Sequence, residues 1–263
     1  MSQAVARAPA RPALLRITPP ATALLLVAGV AWPLAVREAL GMGNGPGTMG
    51  LGVAGFFGMW ALMMAAMMLP SVAPVASLYS RTIATRRAVR LLAFASGYLA
   101  VWIATGIPAF LLLRATGAAA GGHEWVARAT ASGILAAAGA WQLSGAKQRC
   151  LTHCRSPIGL FLQYASRRGR LRDLLVALHH AAYCVGCCWL LMALFAVFGV
   201  MNIAAMAGLA VVVVAEKLWS RGAGFSRAIG VACLALAVAA LVAPALTPGL
   251  AAPTTAAMSM PMR

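Results

Sequence analysis

Six cysteines, at positions 150, 154, 184, 187, 188 and 233, hold most of the chemistry this chain can offer. Three of them crowd into Cys184-Val-Gly-Cys187-Cys188-Trp189, directly after His179-His180. On a helix, residues i, i+4 and i+8 share a face, so His180, Cys184 and Cys188 stack and Cys187 lies beside them. Thiolate with imidazole suits Cu(I) or Zn(II), and thiolate with thioether favours Cu(I). A thiolate in an apolar helix is unfavourable alone, but a bound soft cation offsets its charge. Two plainer readings stand beside this one. A buried free cysteine behaves as a small hydrophobe, and Cys-x-x-Cys also serves redox chemistry.

A second group, Cys150-Leu-Thr-His153-Cys154, places two thiols and an imidazole within five residues. It could catch a soft metal or consist of ordinary interfacial residues. On the cytoplasmic side a lasting disulfide is disfavoured. Cys233, alone in its apolar run, reads as packing. Methionine is abundant, with 14 in the chain. In the run Gly58–Pro70, Met59, Met63 and Met67 share one helical face. Met63 and Met67 match the cysteine group in softness, although Met is also a flexible core filler. Alternating thioethers recur in the tail at Met258, Met260 and Met262. No phosphate-binding loop, nucleophile elbow or carboxylate pair is visible. With four acidic residues in the chain, general acid–base catalysis has little to work with, so an enzyme is not expected.

These residues must be positioned by apolar elements. The chain has 263 residues, 62% apolar and 10% charged, with mean hydropathy +0.87. A soluble domain is roughly 45–50% apolar and about 25% charged, so the composition predicts an all-α, polytopic transmembrane helical bundle. The candidate spans lie at 17–36, 53–79, 91–113 and 129–146, two more between 174 and 215, and a last at 228–246. That makes seven helices, or six. Residues 1–16 form an N-terminal tail, 17–250 the helical domain and 251–263 a Met-rich tail.

The net charge is +17, but the basic residues come in short clusters between uncharged runs. That pattern argues for anionic lipid headgroups and against nucleic acid as the electrostatic partner. Seven alternating helices put 17 basic residues on one side and four on the other. The basic side is then cytoplasmic, giving an inner-membrane protein with its N-terminus in the cytoplasm and its C-terminus in the periplasm. The first span could instead be a cleaved signal peptide, but no clear cleavage site follows it before Arg37.

If the fifth span begins at Leu174, Cys184 lies about 15 Å deep, near mid-bilayer. Met63 reaches a similar depth from the outer side, so the second and fifth helices are expected to pack side by side and share one site. Glu216-Lys217, ending the sixth span, is expected to pair or snorkel at the inner interface.

Several motifs together resemble a known family. They are Met67-Met68-Leu69-Pro70-Ser71, Trp141-Gln142-Leu143-Ser144 with Lys147, Cys150, Cys154 and Pro157, then Tyr183-Cys184-Val-Gly-Cys187-Cys188-Trp189 with Met192, and finally Gly199–Asn202 and Glu216–Leu218. Over about residues 50–222 the chain is similar to a bacterial family of metal-binding integral membrane proteins, grouped with membrane copper chaperones of polyphenol oxidases (tyrosinases). One departure is Ala181 after His180, where the family carries glycine. The resemblance implies copper delivery to a recipient copper enzyme. The residues by themselves indicate a soft-metal membrane site.

The reading is therefore a Cu(I)-binding membrane protein with Cys184, Cys187, Cys188 and His180 as core ligands. Met63 and Met67 would act as relay donors, and Cys150 and Cys154 as a second thiol pair. Its rivals are a soft-metal transporter, a membrane thiol–disulfide oxidoreductase and a structural subunit without metal.

Overall fold

The computed structural model describes residues 18–42, 47–48, 50–121, 123–164, 171–243 and 246–250. The Met258–Met262 tail and the N-terminal tail lie outside them. Eleven helices form among the described residues, with no strand. They are α1 (Pro19–Met42), α2 (Val53–Ser80), α3 (Arg87–Ala104), α4 (Gly106–Ala120), α5 (Glu124–Leu143), α6 (Gly145–Arg155), α7 (Ile158–Gln163), α8 (Arg172–Ala193), α9 (Phe195–Phe198), α10 (Ile203–Leu218) and α11 (Gly222–Val242). Among the described residues, each of the seven apolar runs is largely helical. Five stretches, 19–41, 53–80, 87–118, 172–198 and 222–242, are long and apolar enough to cross a membrane. At 16 residues α10 is short, and α5 carries Glu124 at its start.

The bundle turns apolar side chains outward as well as inward. Leu26 and Val30 on α1, Leu92 on α3 and Val231, Val238 and Val242 on α11 are all exposed. Water would penalise such faces, and lipid would not.

Two contacts lock the bundle at one end. Arg90 of α3 grips Asp173 of α8 through Nε and Nη2, at 2.8–3.0 Å. Tyr79, near the end of α2, donates its hydroxyl to the same carboxylate. Thr18 Oγ1 donates to Ser77 Oγ at 2.6 Å, fixing the start of α1 beside the end of α2.

On the other flank α5 lies along α11, and their backbones close to the distance that glycine permits. A Cβ on Gly139 would stand 2.8 Å from the Gly230 carbonyl oxygen and 2.7 Å from Leu234 Cγ. A Cβ on Gly133 of the same helix would meet nothing within 4 Å. Alanine normally favours a helix over glycine, so Gly133→Ala should be neutral or stabilising. Gly139→Ala should instead cost about 1–3 kcal/mol through overpacking. Thermal unfolding of the two variants in detergent checks the opposite signs.

The long basic segment after α5 departs from the expected loop. Ser144 breaks the helix in extended conformation, and its Oγ accepts the Lys147 amide at 3.1 Å, so a new helix, α6, starts at once. This N-cap turns the chain back onto α8. The outward residues of α6, Arg149, Thr152 and His153, are exposed, while Lys147, Leu151 and Cys154 are buried beneath.

Candidate metal centre

α6 and α8 pack against each other, and their contact merges the two cysteine groups. Cys150 Sγ lies over Gly186, 3.0 Å from where a Cβ would stand. One turn further on, Cys154 Sγ is 3.8 Å from Cys187 Sγ. Trp141, at the end of α5, donates Nε1 to the Gly186 carbonyl at 3.1 Å and closes the contact from the side. Five of the six cysteines thus gather at one level of the bundle, and all six are free thiols. Cys233 is buried in α11, away from this contact.

Within the cluster, Cys187 and Cys188 donate their thiols to the Cys184 carbonyl, at 3.1 and 2.9 Å. Cys184 Sγ makes different contacts. It lies 2.8 Å from Lys217 Nζ and 3.0 Å from the Tyr98 hydroxyl. Lys217 Nζ also donates to Ser71 Oγ at 3.0 Å. The lysine is 7% exposed and Cys184 1%, so the ammonium is enclosed against sulfur with no carboxylate on it.

The Glu216-Lys217 pair therefore divides its partners rather than pairing internally or snorkelling. Glu216 accepts from Lys147 Nζ and from Gln142 Nε2, each at 2.6 Å. Ser226 donates to the Gln142 side-chain oxygen Oε1 at 3.3 Å. This buried network joins α5, α6, α10 and α11 behind the thiols.

Ser71 follows Pro70 on α2, and its hydroxyl donates back to the Met68 carbonyl at 2.9 Å while accepting from Lys217. Met63 and Met67 are wholly buried on the same helix, and Met67 stands one turn from Ser71. No hydrogen bond joins a methionine sulfur to a thiol among the described residues. The expected direct packing of α2 on α8 gives way to another arrangement. α2 packs on α1, α3 and α10, and α8 on α3, α6 and α5. The two helices meet through Tyr79–Asp173 and through the Ser71–Lys217–Cys184 bridge.

Along α8, Cys184 lies twelve residues from Arg172, about 18 Å by helical rise. α6, whose outer face carries the exposed Arg149, Thr152 and His153, lies against α8 at Tyr183, Gly186 and Cys187. Outside the spans, on α6, burial and then the neighbouring Cys187 push the Cys150 thiol up, against the pull of Lys147. Cys154 is pushed well above the usual thiol range, first by its hydrogen bonds to Cys184 and Cys187 and then by burial. The α6 thiols thus hold their protons, and a metal that takes them must release those protons.

His180 is 3% exposed. Its ring lies 6.1 Å from that of Tyr98 and 6.5 Å from that of Phe94. Among the described residues, no three thiol, imidazole or carboxylate groups stand as they would around one ion. To receive one, Cys187 and Cys188 must turn away from the Cys184 carbonyl, a change of rotamer rather than of backbone. Lys217 and Tyr98 are the partners that sequence reasoning missed. Neighbours on a helix point about 100° apart, so adjacent Glu216 and Lys217 had to serve different surroundings.

No curated protein and no solved structure matches the chain. The sequence model of one family, PpoB2, described as copper chaperone, matches residues 57–240. That range runs from within α2 to within α11 and holds every thiol of the cluster, Ser71, Tyr98 and Lys217. This chain belongs to the PpoB2 copper chaperone family.

Proposed function

We propose that the chain is an integral inner-membrane carrier of Cu(I) that hands its ion to a copper enzyme, such as a tyrosinase, and catalyses no reaction itself. The observation that carries this reading is the enclosure of Cys184 beside Cys187, Cys188 and Cys154, with the buried Lys217 ammonium on its sulfur. Soft donors with no carboxylate among them suit monovalent copper and disfavour hard ions. Two thiolates bound to Cu(I) carry one net negative charge, and Lys217 supplies one positive charge beside it. His180 adds an imidazole one turn along α8, and the Met67–Ser71 turn brings a thioether helix to the same lysine. The exposed apolar faces of α1 and α11 support the membrane setting, and the 17:4 basic split supports a cytoplasmic N-terminus.

The thiol–disulfide alternative is disfavoured by burial, because Cys184 and Cys188 are each 1% exposed. A transporter would need donors continuing to the far side, and metal flux into sealed vesicles separates it from a carrier.

The test is metal analysis of protein purified anaerobically, with X-ray absorption at the copper edge. Wild type should retain copper in a sulfur-dominated shell. Cys184→Ser/Cys188→Ser should lose at least nine-tenths of it. Mainly oxygen ligation, or full retention by the double variant, would overturn the thiolate site. Transfer of the bound copper to an apo tyrosinase would establish delivery, and its absence with a competent recipient would remove that part of the proposal.

A further inference from the structure

Beside the thiols, on the α6 side, a cavity of about 350 Å³ opens between α6, α7 and the first half of α8. Three of the chain's four histidines, His153, His179 and His180, line it, with Tyr183 and Gly159. The Tyr183 ring is stacked with both outer imidazoles, 4.3 Å from His153 at 5° and 5.2 Å from His179 at 20°. The stack fixes both rings in place.

Their nitrogens are committed in a way that leaves donors over. His153 Nδ1 donates to the Arg149 carbonyl at 2.9 Å, so the neutral ring carries its proton there and keeps the Nε2 lone pair. This is how metal-binding histidines are commonly held, with one nitrogen tied to a carbonyl and the other available. His179 Nδ1 is hydrogen-bonded to the Tyr164 hydroxyl at 3.1 Å. His180 lines the cavity and is 3% exposed, and among the described residues no hydrogen bond ties up its ring nitrogens. From His180 the next donor along the face is Cys184, one turn on.

We infer that this cavity is the port through which Cu(I) exchanges between water and the buried thiols, passed inward by imidazoles with His180 as the last before Cys184. The inference rests on the copper reading above and adds the route. Imidazole is softer than water or carboxylate and holds Cu(I) less firmly than thiolate, so the donors grow stronger along the path. Copper stays monovalent; its incoming ligands leave as imidazole and then thiolate replace them, and each thiol that takes the ion gives up its S–H proton to water.

The route is tested by anaerobic stopped-flow loading with the acetonitrile complex of Cu(I), followed by thiolate-to-copper charge-transfer absorption. A Cβ on Gly159 would meet nothing within 4 Å, so Gly159→Trp can fill the cavity without displacing the fold. It should slow loading at least tenfold while reaching the wild-type copper content. His153→Phe, which keeps the ring stack but removes the nitrogen, should slow it several-fold. Gly145→Trp, at an exposed and equally open site on α6, should load as wild type does. Wild-type rates in both Gly159→Trp and His153→Phe would overturn the port. If Gly159→Trp loses copper content instead, the His153→Phe rate decides alone. Failure of wild type itself to bind copper would overturn the copper reading rather than the route.

Discussion

Lys217→Leu is expected to weaken Cu(I) binding by about 10²–10³-fold, measured by competition with a chromophoric Cu(I) chelator under anaerobic conditions. The substitution keeps an apolar stem, adds no donor for copper and deletes the charge. In the proposed site a bis-thiolate copper centre carries one negative charge in a fully enclosed position. Removing the partner of a buried charge costs about 3–5 kcal/mol, and every 1.4 kcal/mol is a factor of ten. The apo protein loses less, because Cys184 can hold its proton and remain bonded to Tyr98. The variant should therefore fold, and the loss should fall on the metal. An unchanged affinity would mean that the ammonium does not balance the bound ion.

Lys147→Met acts on the support behind the thiols and should destabilise the fold by about 3–5 kcal/mol. Lys147 is 0% exposed and Glu216 1%. Deleting the lysine leaves a buried carboxylate with Gln142 alone. Lys147→Met/Glu216→Leu removes both charges and should recover most of the loss, since an ion pair replaced by apolar groups is often close to neutral. Thermal unfolding of the two single variants and the double variant in detergent gives the coupling directly. The single variant should also release α6 from α8, so that Cys150 and Cys154 are alkylated faster than in the wild type. Equal unfolding temperatures for all would show that the network adds nothing to the fold.

Much of the bundle was legible because lipid imposes a simple rule. A span must be long, apolar and helical, and among the described residues each of the seven apolar runs is largely helical. The face shared by His180, Cys184 and Cys188 was legible for the same reason, since helical spacing fixes it whatever surrounds the helix. What neighbours contribute could not be read in this way. Cys150 and Cys154 looked like a separate, shallower pair because helical rise measures depth along one helix only. It says nothing of a second helix folded back beside it. Ser144 carried the local signal for that return, as a cap residue three positions before Lys147. Met63 and Met67 illustrate the converse limit. Their depth was inferred from rise, but which helices α2 would lie against depended on packing by α3 and α10, and no spacing within α2 encodes that.

The position of Lys217 in the chain sets the order in which the centre can be completed during synthesis. Helices emerge and associate from the N-terminal side first. Cys150, Cys154 and the three cysteines of α8 are all made before α10. Only when the last turn of α10 arrives do Glu216 and Lys217 reach Lys147 and Cys184. α11 must follow before α5 finds its partner across Gly139 and Gly230. In the interval the five thiols lack both their counter-charge and the Glu216 partner of Lys147 that holds α6 on α8. By this order the sulfur is expected to be most open to oxidation and to premature metal until α10 and α11 are in place.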